Sequence, residues 1–170
     1  MLAPLLGKLR LVNLDNLPEE RDIAWTMFFL EAAPSLHELC ITVQDHKCTR
    51  NSQICYEKTD VKWEPSVADF KHKNLANLAI HGFQSNDNFT KYVTRILKVA
   101  MNIKEVSLHD RKLCKLCNEK LDFDARSPKY PQNMDEEDSL RKKIIEELVT
   151  TYPDVIHFCP SSYYSPPVYM

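Results

Sequence analysis

A spaced apolar pattern recurs along much of the chain. In each copy, apolar residues occupy the first, fourth and sixth positions. Because side chains alternate along a strand, the last two apolar residues of each copy are predicted to face one core. A degraded fifth copy occupies 155–158. The first positions of the other four lie 30, 39 and 28 residues apart: Leu6, Leu9 and Leu11; Leu36, Leu39 and Ile41; Leu75, Leu78 and Ile80; Ile103, Val106 and Leu108.

Helical segments separate several of these predicted strands. Residues 22–33 are strongly apolar and stop at a proline, which fits a helix end. Residues 86–101 carry an apolar stripe at helical spacing, with Asn86 or Asp87 available as the N-cap. Residues 135–152 become helical again and begin with acidic side chains that favour a helix N-terminus. The chain therefore alternates strand and helix.

Strands that alternate with helices predict parallel pairing, because each strand needs a crossover to return in the same direction. The copies are longer than a typical leucine-rich repeat of about 20–29 residues but close to it. We predict an α/β leucine-rich-repeat (LRR) solenoid segment with parallel strands, helices on the convex side and irregular repeats, spanning 1–158. Residues 44–70 and 111–133 are predicted to be long loops, and 159–170 a disordered tail.

The composition excludes several function classes. The net charge of -2 does not suit a protein that coats nucleic acid or an acidic membrane. The only glycines, Gly7 and Gly82, cannot form a phosphate-binding loop. No secretory signal or apolar stretch long enough to span a bilayer occurs, which predicts an intracellular protein of the cytoplasm or nucleus with reduced cysteines.

A cysteine pair is the strongest candidate for chemistry. Cys114 and Cys117 have the spacing of zinc ligands, but a structural zinc site needs two more. Cys48 and Cys55, or His46, are available in the other long loop, which should leave the same edge of the sheet. The alternative is that all are ordinary reduced thiols, and no cofactor is assigned.

Other polar and aromatic residues favour structural roles. Ser107, His109 and Asp110 fall within four consecutive residues, whereas a catalytic triad draws its members from separate elements around a cleft. They are interpreted as polar residues on an exposed strand face. We therefore expect a non-enzymatic protein. His72 is interpreted as a hydrogen-bonded loop residue, and the aromatic residues of 25–29 as helix-to-sheet core: Trp25, Phe28 and Phe29.

The strand face opposite the core is the candidate binding surface, because solenoids bind partners through stacked strands. Stacking is predicted to produce a mixed polar surface that is basic at the first strand. The partner would be a protein, with no nucleic acid or membrane involved. The residues expected to contact it are Lys8, Arg10, Glu38, Thr42, Asn77, His81, Glu105, Ser107 and His109, interspersed with Val12, Cys40 and Ala79.

Three longer stretches carry a family likeness: LRLVNLDNLPEERDIAWTMFFLEAAPSLHELCITVQDHKC (9–48), FKHKNLANLAIHGFQSNDNFTKYVTRILKVAMNIKEVSLHD (70–110) and CKLC (114–117). The motifs FKHKNL and APSLHEL are the most characteristic. Over most of its length the chain resembles the C-terminal LRR region of plant F-box/LRR proteins, the FBD type.

The resemblance implies a substrate adaptor of an SCF-type ubiquitin ligase, whose F-box docks on the cullin complex while the repeats select the target. No F-box precedes the first repeat, so a cullin adaptor is expected as a partner only if the native protein extends upstream. A fragment, or a truncated paralogue or isoform without ligase function, is the alternative. A zinc-stabilised structural domain is a third interpretation.

The chain departs from the usual repeat in one respect. The asparagine that continues many LRR units is missing, and the equivalent positions hold Leu14, Gln44, Phe83 and Arg111. No asparagine ladder is therefore expected along the sheet edge.

Overall fold

The sheet is parallel and follows chain order. The computed structural model describes residues 6–18, 22–44, 64–111, 126–148 and 154–160. Within these ranges one five-stranded sheet consists of β1 (Leu11–Pro18), β2 (Glu38–Gln44), β3 (Asn77–His81), β4 (Glu105–His109) and β5 (Ile156–Cys159). All neighbouring pairs are parallel, which confirms the predicted α/β solenoid segment.

The predicted helices are present with altered bounds. A 3₁₀ turn at Ala24–Met27 leads into α1 (Phe28–Ala32), and α2 covers Asp87–Val99. The last helix, α3 (Met134–Ile145), ends seven residues before the predicted end at 152. Asparagine side chains cap the two longer helices, because Oδ1 of Asn86 accepts from the N–H of Phe89 and Oδ1 of Asn133 from that of Glu136.

Apolar side chains on the helical face of the strands form two continuous rows. Three further apolar residues precede the strands and are also buried: Leu36, Leu75 and Ile103. The helices close this core with residues such as Val93, Ile96 and Ile144. From β1 to β5 the rows are Val12, Leu39, Leu78, Val106 and Ile156, and then Leu14, Ile41, Ile80, Leu108 and Phe158.

The register of the first repeat differs from its prediction. Val12 pairs with Leu39 and is buried, whereas Leu11 pairs with Glu38 and is 53% exposed. The first copy therefore starts at Leu9 and continues through Val12 and Leu14, three residues later than predicted. A shift by an odd number of residues exchanges the two faces of a strand, so the predicted outward position of Val12 is wrong.

Two of the three aromatic residues after β1 differ from their prediction as core. Phe28 is 42% exposed and Trp25 is half-buried, whereas the half-buried Phe29 packs against the core as predicted. Met27 and Leu30 are buried in their place. A 3₁₀ turn has about 3.0 residues per turn instead of 3.6, so a continuous α-helical period misplaces the residues that follow it.

Parts of the predicted loops and tail lie outside the described residues. In the first loop 64–70 are described, with β2 continuing to Gln44, and in the second 126–133 are described as turns. Cys159 belongs to β5 instead of the predicted tail, and 161–170 lie outside the description. No helix in the described ranges is long and apolar enough to cross a bilayer.

Candidate functional site: the outer strand face

The side of the sheet opposite the helices, the outer strand face, carries three rows of side chains fixed by the strand register. The first row is Leu11, Glu38, Asn77 and Glu105. The second row is Asn13, Cys40, Ala79, Ser107 and His157. The third row is Thr42, His81, His109 and Cys159.

The first row is the most accessible. Leu11 and Glu105 are exposed, and Glu38 and Asn77 are half-buried. Neither carboxylate forms an ion pair with another described residue, and the Asn77 amide forms no side-chain hydrogen bond with one. Neighbouring strands are about 4.8 Å apart, so Glu38 and Glu105 stand about 10 Å from each other, with Asn77 between them.

The third row is more enclosed. The rings of His81 and His109 stack with centroids 4.2 Å apart and an angle of 18° between their planes. Burial raises the pKa of the neighbouring Cys159 thiol, and the carboxylates of Glu105 and Glu137 raise it further. The thiol is therefore protonated at neutral pH, which makes it a poor nucleophile.

Thr42, at the other end of that row, is 2% exposed. Its side chain has no free surface for a partner, so its predicted contact role is wrong on steric grounds. The sequence placed it on the correct face of β2, but alternation along a strand does not report how closely neighbouring side chains cover a small residue.

Lys8 and Arg10 are also misplaced by the prediction. Both precede β1, and the backbone oxygen of Arg10 accepts hydrogen bonds from the N–H groups of His37 and Glu38. The outer strand face of β1 begins instead with Leu11 and Asn13. The described part of the face holds no lysine or arginine, so its predicted basic end is wrong.

The other predicted contact residues lie on the outer strand face, and their role in binding stays a prediction: Glu38, Asn77, His81, Glu105, Ser107 and His109. Sequence reasoning missed Leu11, Asn13 and His157. The available signal was the pattern that starts at Leu9, which gives 27 residues to Leu36 and so a more regular repeat.

Buried hydrogen bonds hold the carboxyl end of β4 in place. Asp110 is buried, and its two carboxylate oxygens accept from the backbone N–H groups of Arg111 and Ser127. The hydroxyl of Tyr130 donates to the Leu108 carbonyl oxygen, and burial raises the pKa of this phenol. Asp110 thus organises backbone from a buried position, whereas the sequence interpretation placed it among polar residues on an exposed strand face.

His72 lies in the segment before β3 and is 2% exposed. Its Nδ1 accepts from the backbone N–H of Leu75 at 2.9 Å, which places the proton on Nε2, and Nε2 donates to the Ala33 carbonyl oxygen at 3.1 Å. Burial lowers the pKa of His72. The His72 side chain thus links the residues before β3 to Ala33 at the end of α1 by hydrogen bonds. This is the hydrogen-bonded structural role interpreted from the sequence.

The cysteine pair proposed for zinc lies outside the described residues, together with its candidate partners: Cys114, Cys117, Cys48, Cys55 and His46. Among the residues that are described, no three histidine, cysteine or acidic side chains come together as metal ligands. The zinc interpretation stays a prediction.

Comparison with known proteins places the chain in a family. No curated protein and no solved structure matches it. A family model described as the At1g61320/AtMIF1 LRR domain matches residues 5–153, which is most of the chain. That match supports assignment to an LRR family, but it does not support the narrower assignment to F-box proteins of the FBD type. The chain belongs to the plant At1g61320/AtMIF1 LRR family.

Proposed function

We propose that this LRR domain is a protein-interaction module that binds its target through the outer strand face, without catalysis. Family membership supports the proposal, because solenoid repeats bind partners on their stacked strands. The observation that carries it is the contrast between a closed apolar face and an open polar one on the same strands. A polar face held by a rigid core presents its side chains in fixed positions, which lowers the ordering cost of binding.

The narrower proposal is target recognition for an SCF-type ubiquitin ligase, inside the cell. It rests on the resemblance of APSLHEL (33–39) and FKHKNL (70–75) to F-box/LRR proteins of the FBD type. A gene product that also carries an F-box would use that F-box for the cullin adaptor and the outer strand face for the target. A gene product without one would bind the same target and have no ligase function.

The test is immunoprecipitation of the tagged native gene product from plant tissue, with mass spectrometry of its N-terminus and partners. Co-purification of a cullin adaptor with an upstream F-box supports the ligase proposal. A native chain that brings down a reproducible target but no adaptor overturns the ligase proposal and leaves the binding proposal standing.

A matched pair of variants tests the surface itself. Ser107 lies at the centre of the outer strand face and Ser139 is exposed on α3, on the helical side. Ser107→Tyr adds bulk without charge at the proposed contact surface, and Ser139→Tyr adds the same bulk elsewhere. Loss of the target with Ser107→Tyr alone supports the proposal, and equal retention by both variants contradicts it.

A further inference from the structure

The charge of the outer strand face has one sign. Apart from imidazoles, its charged side chains in the described strands are carboxylates, with Glu38 and Glu105 in the first row and Asp15 exposed in the bulge of β1. On the helical side the situation differs, since Asp87 and Glu147 pair with lysines at 2.7 Å. The carboxylates of the first row have no such compensation among the described residues, so the described part of this row carries negative charge.

The spacing of those carboxylates selects among partner conformations. Glu38 and Glu105 are two strands apart, about 10 Å. A polyproline II segment has three residues per turn and rises about 9.3 Å over them, so that cations three residues apart stand on one face at nearly this distance. In a β-strand, side chains on one face recur at about 7 Å, which does not match.

Two further side chains of the same row complete the fit. The half-buried Asn77 amide, between the carboxylates, forms no side-chain hydrogen bond with a described residue and can donate to a backbone carbonyl. A polyproline II backbone has no internal hydrogen bonds, so its carbonyls are available. Leu11, 53% exposed and one strand beyond Glu38, offers the apolar contact that a proline ring requires.

We propose that the row Leu11, Glu38, Asn77 and Glu105 docks a basic, proline-rich segment in the polyproline II conformation, with two cationic side chains three residues apart. The cations pair with the two glutamates, a proline packs on Leu11, and the segment crosses the strands. This inference rests on the proposed function, because it names the partner chemistry of the same surface.

The test is fluorescence anisotropy of the full chain with a labelled peptide, PPRPPRPP. The double variant Glu38→Gln and Glu105→Gln should bind about tenfold more weakly, since partly exposed charge pairs make modest contributions. Asp69→Asn with Glu146→Gln is the matched control, because it changes the net charge equally at exposed carboxylates away from the sheet that form no ion pair with a described residue. The control should stay within about twofold of the wild type by the same reasoning.

The spacing is tested by a second peptide, PPRPRPPP, with the arginines two residues apart. It should bind at least about fivefold more weakly, because its cations then project from different faces of the polyproline II helix. Equal binding of the two peptides, an equal loss in the control variant, or no binding of either peptide overturns the proposal. Urea unfolding midpoints matching the wild type confirm that the variants are folded.

The native target separates this inference from the proposed function. If Ser107→Tyr releases the target while PPRPPRPP does not bind the wild-type chain, the outer strand face binds a partner of other chemistry. In that case only the polyproline II inference is wrong. If Ser107→Tyr and the double glutamine variant both retain the target fully, the proposed function and this inference fail together.

Discussion

On the helical face of the sheet, the side chains of Leu39, Leu78 and Val106 form one row and are almost completely buried. One position further along the same strands, Cys40, Ala79 and Ser107 are half-buried, and no chemical type repeats among them. The backbone geometry of the two rows is the same. The difference lies in what each side chain must satisfy.

The comparison shows where the sequence is constrained. A side chain on the helical face must exclude water and fill space among its neighbours, and burial of an aliphatic side chain contributes about 1.5–3 kcal/mol. An exposed side chain on the outer strand face needs only to tolerate solvent, and its substitution changes stability little. Stability therefore constrains the exposed positions of the outer strand face less than it constrains the helical face.

The largest predicted effect is on the helical face. Ile80→Ala removes a fully buried side chain from the centre of the sheet, and we expect the free energy of unfolding to fall by about 3–4 kcal/mol. Asn77→Ala, on the outer strand face of the same β3, should change it by less than about 0.5 kcal/mol. Urea denaturation followed by circular dichroism measures both. Similar losses in the two variants would contradict the division between the faces.

The next effect concerns the turn that leaves β3. Gly82 has φ +79°, and a Cβ there would clash with the Val43 carbonyl oxygen. Gly82→Ala should lower the free energy of unfolding by about 2–3 kcal/mol, because both the backbone conformation and the contact are unfavourable. Gly7→Ala is the control, since φ at Gly7 is not positive. A harmless Gly82→Ala would mean that the close approach to β2 is not required.

The same constraint explains which parts of the fold could be predicted. In the three central repeats the apolar pattern fits only one register, and the structure has that register. The leucine-rich first repeat fits two, starting at Leu6 or at Leu9. The apolar spacing within the repeat fits both, and only the more regular interval of 27 residues to Leu36 favours the start at Leu9. Choosing Leu6 moved Leu11 to the wrong face and gave the candidate binding surface a basic end.

Other features could not be predicted because they depend on distant contacts. The burial of Thr42 follows from its packed neighbours, and the stacking of His81 on His109 follows from the register of two strands. Trp25 and Phe28 were misassigned because no sequence signal marked the change from 3₁₀ to α geometry. The sequence can thus assign a candidate contact residue to one face of the sheet. It predicts less well whether the side chain is accessible there.

A smaller effect is expected at His72, the buried side chain that hydrogen-bonds to Ala33 and Leu75. The folded-state pKa of His72 is lowered, so the unfolded chain binds its proton first as the pH falls. The contribution of His72 should be complete above about pH 6.5 and decline as the pH falls toward the folded-state pKa. His72→Gln should cost about 1 kcal/mol at pH 7.5 and less at pH 5.5.

Urea unfolding at the two pH values measures this difference. His157→Gln, at an exposed position of β5, is the control for replacing an imidazole by an amide elsewhere in the sheet. If His72→Gln keeps the full wild-type pH dependence, the loss of stability in acid arises elsewhere.

The smallest effect decides the register of the first repeat. Leu11→Ala trims a side chain that is 53% exposed on the outer strand face, and we expect a change below about 0.5 kcal/mol in the free energy of unfolding. Val12→Ala trims a buried neighbour and should cost about 1–2 kcal/mol. The register expected from the Leu6 pattern requires the opposite order, so urea denaturation of this pair distinguishes the two. With Leu11 outside, its apolar surface makes no contribution to the core, and that surface is the one that the polyproline II proposal uses for contact with a proline ring.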